Sequence, residues 1–483
     1  MGLLGILVAL GLLIYFAYRG WSILLLAPAA ALLAALLSGE PLLAHLTQTF
    51  MRSAAQFVMQ FFPIFLLGAL FGKLMEDSGS VSAIASFMTE RLGTKRAVLA
   101  VVLAGALVTY GGVSLFVAFF VLAPMAHALF RAAAIPKRIM PAAIALGTST
   151  FTMSMMPGTP AIQNAIPMPF FGTTPFAAPG LGIIASAITM GFGLWWLANV
   201  EARARSAGEG YEGRADAALA AAKNEKIRER ATAANAFDPI EAPNGAISET
   251  TPPIAIAATP LIIVIGVNLL MSLFVLPRLD ASYLAKPEWG ETSLAAVGGV
   301  WAVVTALAAA IAVLIPLNLG RLSKLRETMD AGANAAALPV LSVASLVGFG
   351  AVVAALPAFA VVRDWVLGIG GGPLVSLAVA TNVLASLTGS ASGGLTIALD
   401  ALGSTYLRIA QEQGIDPALL HRVAVIGAGT LDSLPHNGAV VTLLAVCGST
   451  HKESYVDIVM VAIVGALAAL AAVIVLGTLV GSF

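Results

Sequence analysis

Apolar residues along this chain run in blocks that are too long for a strand and too uniform for the one-sided stripe of a water-facing helix. Blocks at 3–18, 21–37, 54–72, 139–156, 180–200, 254–276, 294–317, 335–356, 417–447 and 456–480 can cross, or nearly cross, about 30 Å of hydrocarbon, so the pattern predicts ten spanning helices. The first block has no basic segment before it and a second follows almost at once, which marks a retained span and not a cleaved leader. Two further blocks, 97–130 and 373–409, fit a single crossing poorly. Each divides into two short apolar stretches around a Gly/Ser/Thr tip, the pattern of a re-entrant hairpin.

Polar positions concentrate between the blocks. Sixteen of the 50 Asp, Glu, Lys and Arg residues fall within 201–250, among alanines, a solvated linker that divides the chain into halves. The halves look alike. Gly111-Gly112 matches Gly393-Gly394, Ile135-Pro136 matches Asp416-Pro417, and Pro157 matches Pro435, at offsets of 282, 281 and 278. The expected organisation is a first repeat over 1–200, with hairpin 97–130 and a broken span over 139–170. A linker over 201–250 follows, then a second repeat over 251–483 with hairpin 373–409 and broken span 417–447.

Composition agrees. Hydrophobic residues make up 59% and charged residues 10% of the 483, against roughly 25% charged in soluble domains. The fold class is therefore an all-α polytopic membrane protein, since barrel strands alternate and read far less apolar. The 25 Lys and Arg balance 25 Asp and Glu, so nucleic acid is no expected partner, and the single cysteine, Cys447, excludes an internal disulfide and a thiolate metal cluster. Numbering the crossings places 19 of the 25 Lys and Arg on one side, linker included. That side is cytoplasmic by the positive-inside rule, with both termini outside. Five crossings per half is an odd number, so the two repeats are inverted relative to each other.

Backbone leaves the helix inside hydrocarbon only where protein or a watery cavity satisfies it. Four interruptions occur at matched places. The hairpin tips carry Thr109, Gly111, Gly112 and Ser114 in one half, and Gly389, Ser390, Ser392, Gly393 and Gly394 in the other. The broken spans carry Met156-Pro157-Gly158-Thr159-Pro160, followed by Gln163 and Asn164, and Asp432-Ser433-Leu434-Pro435-His436-Asn437-Gly438. Half-helix N-termini exposed there suit a carboxylate. The candidate substrate site is accordingly Thr109, Gly111, Gly112, Ser114, Thr159, Gln163 and Asn164 from one half, with Ser390, Ser392, Gly393, Gly394, Ser433, His436 and Asn437 from the other. Asp432 and His436, four residues apart at bilayer depth, are the candidate proton carriers, with Asp400 a further candidate. His421 falls near a span end and is read as interfacial; Gln56, Gln60 and Asn268 are read as interhelical contacts.

The segment Met156–Asn164, with Gly389-Ser390-Ala391-Ser392-Gly393-Gly394 and the Asp432–Gly438 motif, resembles the gluconate permease family, the gluconate:proton symporters of the ion-transporter superfamily. It is most similar to members described as 3-hydroxybutyrate permeases. The resemblance implies proton symport of small hydroxy-carboxylates across the bacterial inner membrane, by a homodimer whose hairpins and broken spans move as an elevator against a scaffold. Gluconate-type members tend to carry a histidine in the break where this chain has Met155-Met156, which favours a smaller, less polar acid. The Ser-Asn-Thr tips of sodium-coupled dicarboxylate relatives are absent from both hairpins. The expected function is import of a small hydroxy-monocarboxylate with a proton, with no cofactor or metal. Sodium-coupled di- or tricarboxylate transport is the alternative. A membrane enzyme would need a clustered catalytic set that the sequence does not carry.

Overall fold

Peptide groups in hydrocarbon have no water to bond to, so an apolar chain satisfies them by closing helices on itself. The computed structural model describes residues 2–18, 21–113, 115–211, 246–388, 390–435 and 437–483, and among these there are helices and turns and no strand. Chain order gives α1 (Gly2–Tyr18), α2 (Ile23–Ser38), α3 (Leu42–Asp77), α4 (Ser80–Leu92), α5 (Ala97–Tyr110), α6 (Leu115–Ala132), α7 (Met140–Thr148) and α8 (Pro179–Ser206). After the linker come α9 (Ile254–Arg278), α10 (Leu294–Leu317), α11 (Leu325–Ala355), α12 (Phe359–Leu367), α13 (Pro373–Thr388), α14 (Ala391–Gln413), α15 (Pro417–Thr430), α16 (Gly438–Val446) and α17 (His451–Val480). Six of these, α3, α8, α9, α10, α11 and α17, are long and apolar enough to cross a membrane alone.

Helix packing is set by small side chains. The long helices α3 and α11 lie against each other, and a Cβ on Gly348 of α11 would stand 2.8 Å from the Phe50 ring. The α1–α2 pair packs on α11 through α2, and the α9–α10 pair packs on α3 through α10. Elsewhere α5 packs against α7, α13 against α15, and α8 against α17. These contacts are close enough to exclude a side chain. A Cβ on Gly147 would lie 2.3 Å from the Val102 carbonyl oxygen, and one on Gly427 would lie 2.4 Å from Thr381 Oγ1.

Sequence pattern missed α4 and α12, short helices that join a long helix to each hairpin. The chain bends by 103° between α4 and the helix that follows it. Of the linker, 212–245 lies outside the described residues, as do Ser114, Gly389 and His436. The linker's described ends are docked. Tyr211 O accepts from Lys137 N at 3.2 Å and its ring carries Arg131 at 4.9 Å, while Ser248 N donates to Asp77 O at 2.8 Å. Arg138 donates two hydrogen bonds to Glu209, at 2.8 and 3.0 Å, which hold its guanidinium pKa above the ordinary value.

Candidate functional site

Both hairpins and both breaks converge on one interior cavity of about 40 Å³. The second arm of the first hairpin contributes Leu115 and Phe119, and the second hairpin contributes Ala391. The first broken span supplies Ala145, Ser149, Met153, Ser154 and Gln163; the second supplies Gly429, Asp432, Ser433, Asn437, Ala439, Val440 and Leu443. The space is on the order of what two or three water molecules need, the size of a small polar headgroup. Leu115, Ala391 and Ala439 lie in the first turns of α6, α14 and α16, so three helices begin at this wall. Their dipoles put positive ends there.

Among the described residues of the lining, Asp432 is the one carboxylate. It sits in the 3-10 turn Leu431–Ser433, where the helix stops ahead of Pro435. Its carboxylate accepts from the backbone N–H of Ala391, at the start of α14, and from Asn437 Nδ2 at 2.8 Å. Asn437 also caps α16, its Oδ1 accepting from Ala439 N at 2.7 Å. The acid is thereby tied to the second hairpin tip and to the restart of the broken span. Gln163 faces the same cavity, and its buried Oε1 has no hydrogen-bond partner. Ser433 lines the cavity too, while its backbone oxygen accepts from Tyr455 Oη at 3.2 Å.

The other candidates lie off this lining. Thr109 is buried, bonding Gly105 O at 2.9 Å and Thr152 Oγ1 at 3.0 Å, which fixes α5 against the first break. A Cβ on Gly111 would run into Leu261 at 2.1 Å. Gly112 holds φ +99° and packs beside Pro160, a turn that favours glycine. Tyr110 joins the same tip to the break by donating to Pro157 O at 2.8 Å. Thr159 O accepts from Asn164 Nδ2 at 3.0 Å. In the second hairpin, Ser390 Oγ caps α14 by accepting from Gly393 N at 3.2 Å and bonds Ser392 Oγ at 3.3 Å. Gly394 lets α14 touch α13, its Cβ position being 2.2 Å from Ala385 N, and Gly393 packs on Leu346. Asp400 is exposed on α14. Asn268 donates to Gly158 O at 2.9 Å and so braces the first break from α9.

One cluster behind the cavity escapes the sequence pattern. His421 and Arg422, at the start of α15, are fully buried and not interfacial. Arg422 donates to Ala177 O from Nε at 3.1 Å and Nη2 at 2.6 Å, and from Nη1 to Met155 O at 3.1 Å and Asn164 Oδ1 at 3.5 Å. His421 bonds Thr173 Oγ1 at 2.7 Å and Asn164 Oδ1 at 3.2 Å. The only sequence signal was weak: Arg422 lies six residues inside the Asp416-Pro417 helix start, over one helical turn in, a depth from which a long side chain can still reach an interface.

Apolar helices packed around a small interior pocket that carries a few polar groups define a multi-pass membrane protein. The sequence pattern of the GntP family permeases matches residues 1–174. Over the full length of both chains, the protein is 40% identical to a Bacillus subtilis (strain 168) protein named "Uncharacterized transporter YxjC". Over 106 residues, 21% of this chain and 23% of the other, it is 37% identical to the "High-affinity gluconate transporter" of Escherichia coli (strain K12). The chain belongs to the GntP family of permeases: it is a membrane transporter and not an enzyme.

Proposed function

We propose that the protein imports a small hydroxy-monocarboxylate, of the 3-hydroxybutyrate or gluconate type, together with a proton. The observation that carries this reading is where Asp432 stands. Its carboxylate takes up the Ala391 N–H at the start of α14 and the Asn437 amide, the donors that an incoming carboxylate would use. Two carboxylates cannot both be ionised in so small a cavity without strong repulsion. Protonating Asp432 removes the repulsion and frees its donors, so anion and proton bind as a pair. Gln163 and Ser433 then offer hydrogen bonds to hydroxyl groups. The full-length relative supports transport, and the relative named as a gluconate transporter, matched over 106 residues, supports the substrate class.

The scaffold reading follows the same logic. We take 1–200 and 251–483 as inverted repeats, joined by a cytoplasmic linker over 201–250, in a protein of the bacterial inner membrane with outward termini. Matched contacts support it: Gly147 on Val102 and Gly427 on Thr381 lie 280 and 279 residues apart along the chain. The hairpins and broken spans would travel together as an elevator past the α3–α11 pair, in a homodimer.

The test is uptake of labelled 3-hydroxybutyrate and gluconate into proteoliposomes. An acidic exterior should drive accumulation, and a sodium gradient at matched pH should not. Asp432→Asn should abolish pH-driven accumulation while substrate exchange persists. If Asp432→Asn still concentrates substrate under a pH difference, Asp432 is not the proton site.

A further inference from the structure

We propose that Arg422 supplies the positive charge by which the cavity selects an anion, acting from behind the wall and not by direct contact. The inference rests on the transport reading above and assigns its charge selectivity to a residue outside the lining. Arg422 heads the largest fully buried side chains of the described residues, yet every hydrogen bond it makes there goes to a neutral acceptor. Among the described residues no carboxylate lies within ion-pair distance of it. Carbonyls satisfy the N–H groups of a guanidinium and leave its charge in place.

The neighbouring histidine needs no charge to satisfy its partners. Asn164 donates from Nδ2 to Thr159 O and Pro175 O, both at 3.0 Å, which fixes its Oδ1 toward His421 and Arg422. His421 must then donate from Nε2 to that oxygen, so Nδ1 is free to accept from Thr173 Oγ1. Both contacts are therefore satisfied with the ring neutral.

The charge is close to the cavity on two counts. Met155 and Asn164, which hold the Nη1 group, are the chain neighbours of Ser154 and Gln163, which line the cavity. In a poorly screened interior a charge one residue behind a wall still acts across it. Burying a lone charge is costly, and a methionine would fill similar space without that cost. The cost points to a use. With Asp432 ionised the region holds one positive and one negative group; with Asp432 protonated it is left net positive, matched to a single carboxylate.

The experiment compares 3-hydroxybutyrate and gluconate with their neutral amides as competitors of uptake by wild type, Arg422→Lys and Arg422→Gln, each checked for monodispersity. Arg422→Lys, which keeps the charge and loses the fork, should keep the preference for carboxylate over amide to within about threefold. Arg422→Gln should lose roughly tenfold or more of that preference through a raised KM for the carboxylate alone. Should Arg422→Gln fail to fold, Asn164→Asp places a carboxylate beside the intact guanidinium and should produce the same loss. Equal damage to acid and amide in the Lys and Gln variants, or an unchanged preference in Asn164→Asp, would mean that Arg422 only braces the break, and overturns the inference alone. A wild type that takes up neither acid overturns the functional reading and this inference with it.

Discussion

At the residue scale, the cavity depends on polar groups that do two jobs. Asn437 caps α16 with its oxygen and holds Asp432 with its nitrogen. Asn437→Ala should therefore cost about 1 kcal/mol for the lost cap, read as a lower melting temperature. It should also weaken pH-driven accumulation, because the acid loses one of its tethers. Asn437→Asp keeps the cap, so it should restore most of the thermal stability and not the coupling. The motif around Asp432 was legible from sequence because a carboxylate in an apolar block is rare. The role of Arg422 was not. A residue near the start of an apolar block reads as surface until the loop over 155–178 is seen to fold across it.

At the element scale, each hairpin is locked to its broken span by a glycine that admits no side chain. Gly147→Val and Gly427→Val would drive a side chain into the Val102 carbonyl and the Thr381 hydroxyl respectively. Overpacking of this kind costs about 1–3 kcal/mol or more. Both variants should show lowered melting temperature and lost uptake, whereas valine at Gly191 or Gly266, where a Cβ meets nothing within 4 Å, should be tolerated. Apolar blocks located the long helices and both tips, since those follow from local chemistry, but of the ten expected spans six helices are long enough to cross alone among the described residues. The pattern could not locate α4 and α12, whose sequences are too short and too mixed to stand out from the adjoining apolar blocks.

At the scale of the whole molecule, the proposed inversion of the two repeats predicts opposite faces for the hairpin bases. Cys447 is the only cysteine and is buried, so Cys447→Ser gives a background for labelling. A cysteine replacing Lys95, ahead of α5, should react with an impermeant maleimide only from the cytoplasmic side. One replacing Glu412, at the end of α14, should react only from outside. Labelling of both from one side would rule out inversion. The chain alone determined that this is a helical membrane protein, where its helices break, and which acid stands in a break, because exclusion of water makes backbone and charge obey local rules. Which of the broken pieces share a wall, and which cation lies behind it, was decided only by packing. Those contacts join residues more than two hundred positions apart, and no local pattern of apolar and polar residues encodes them.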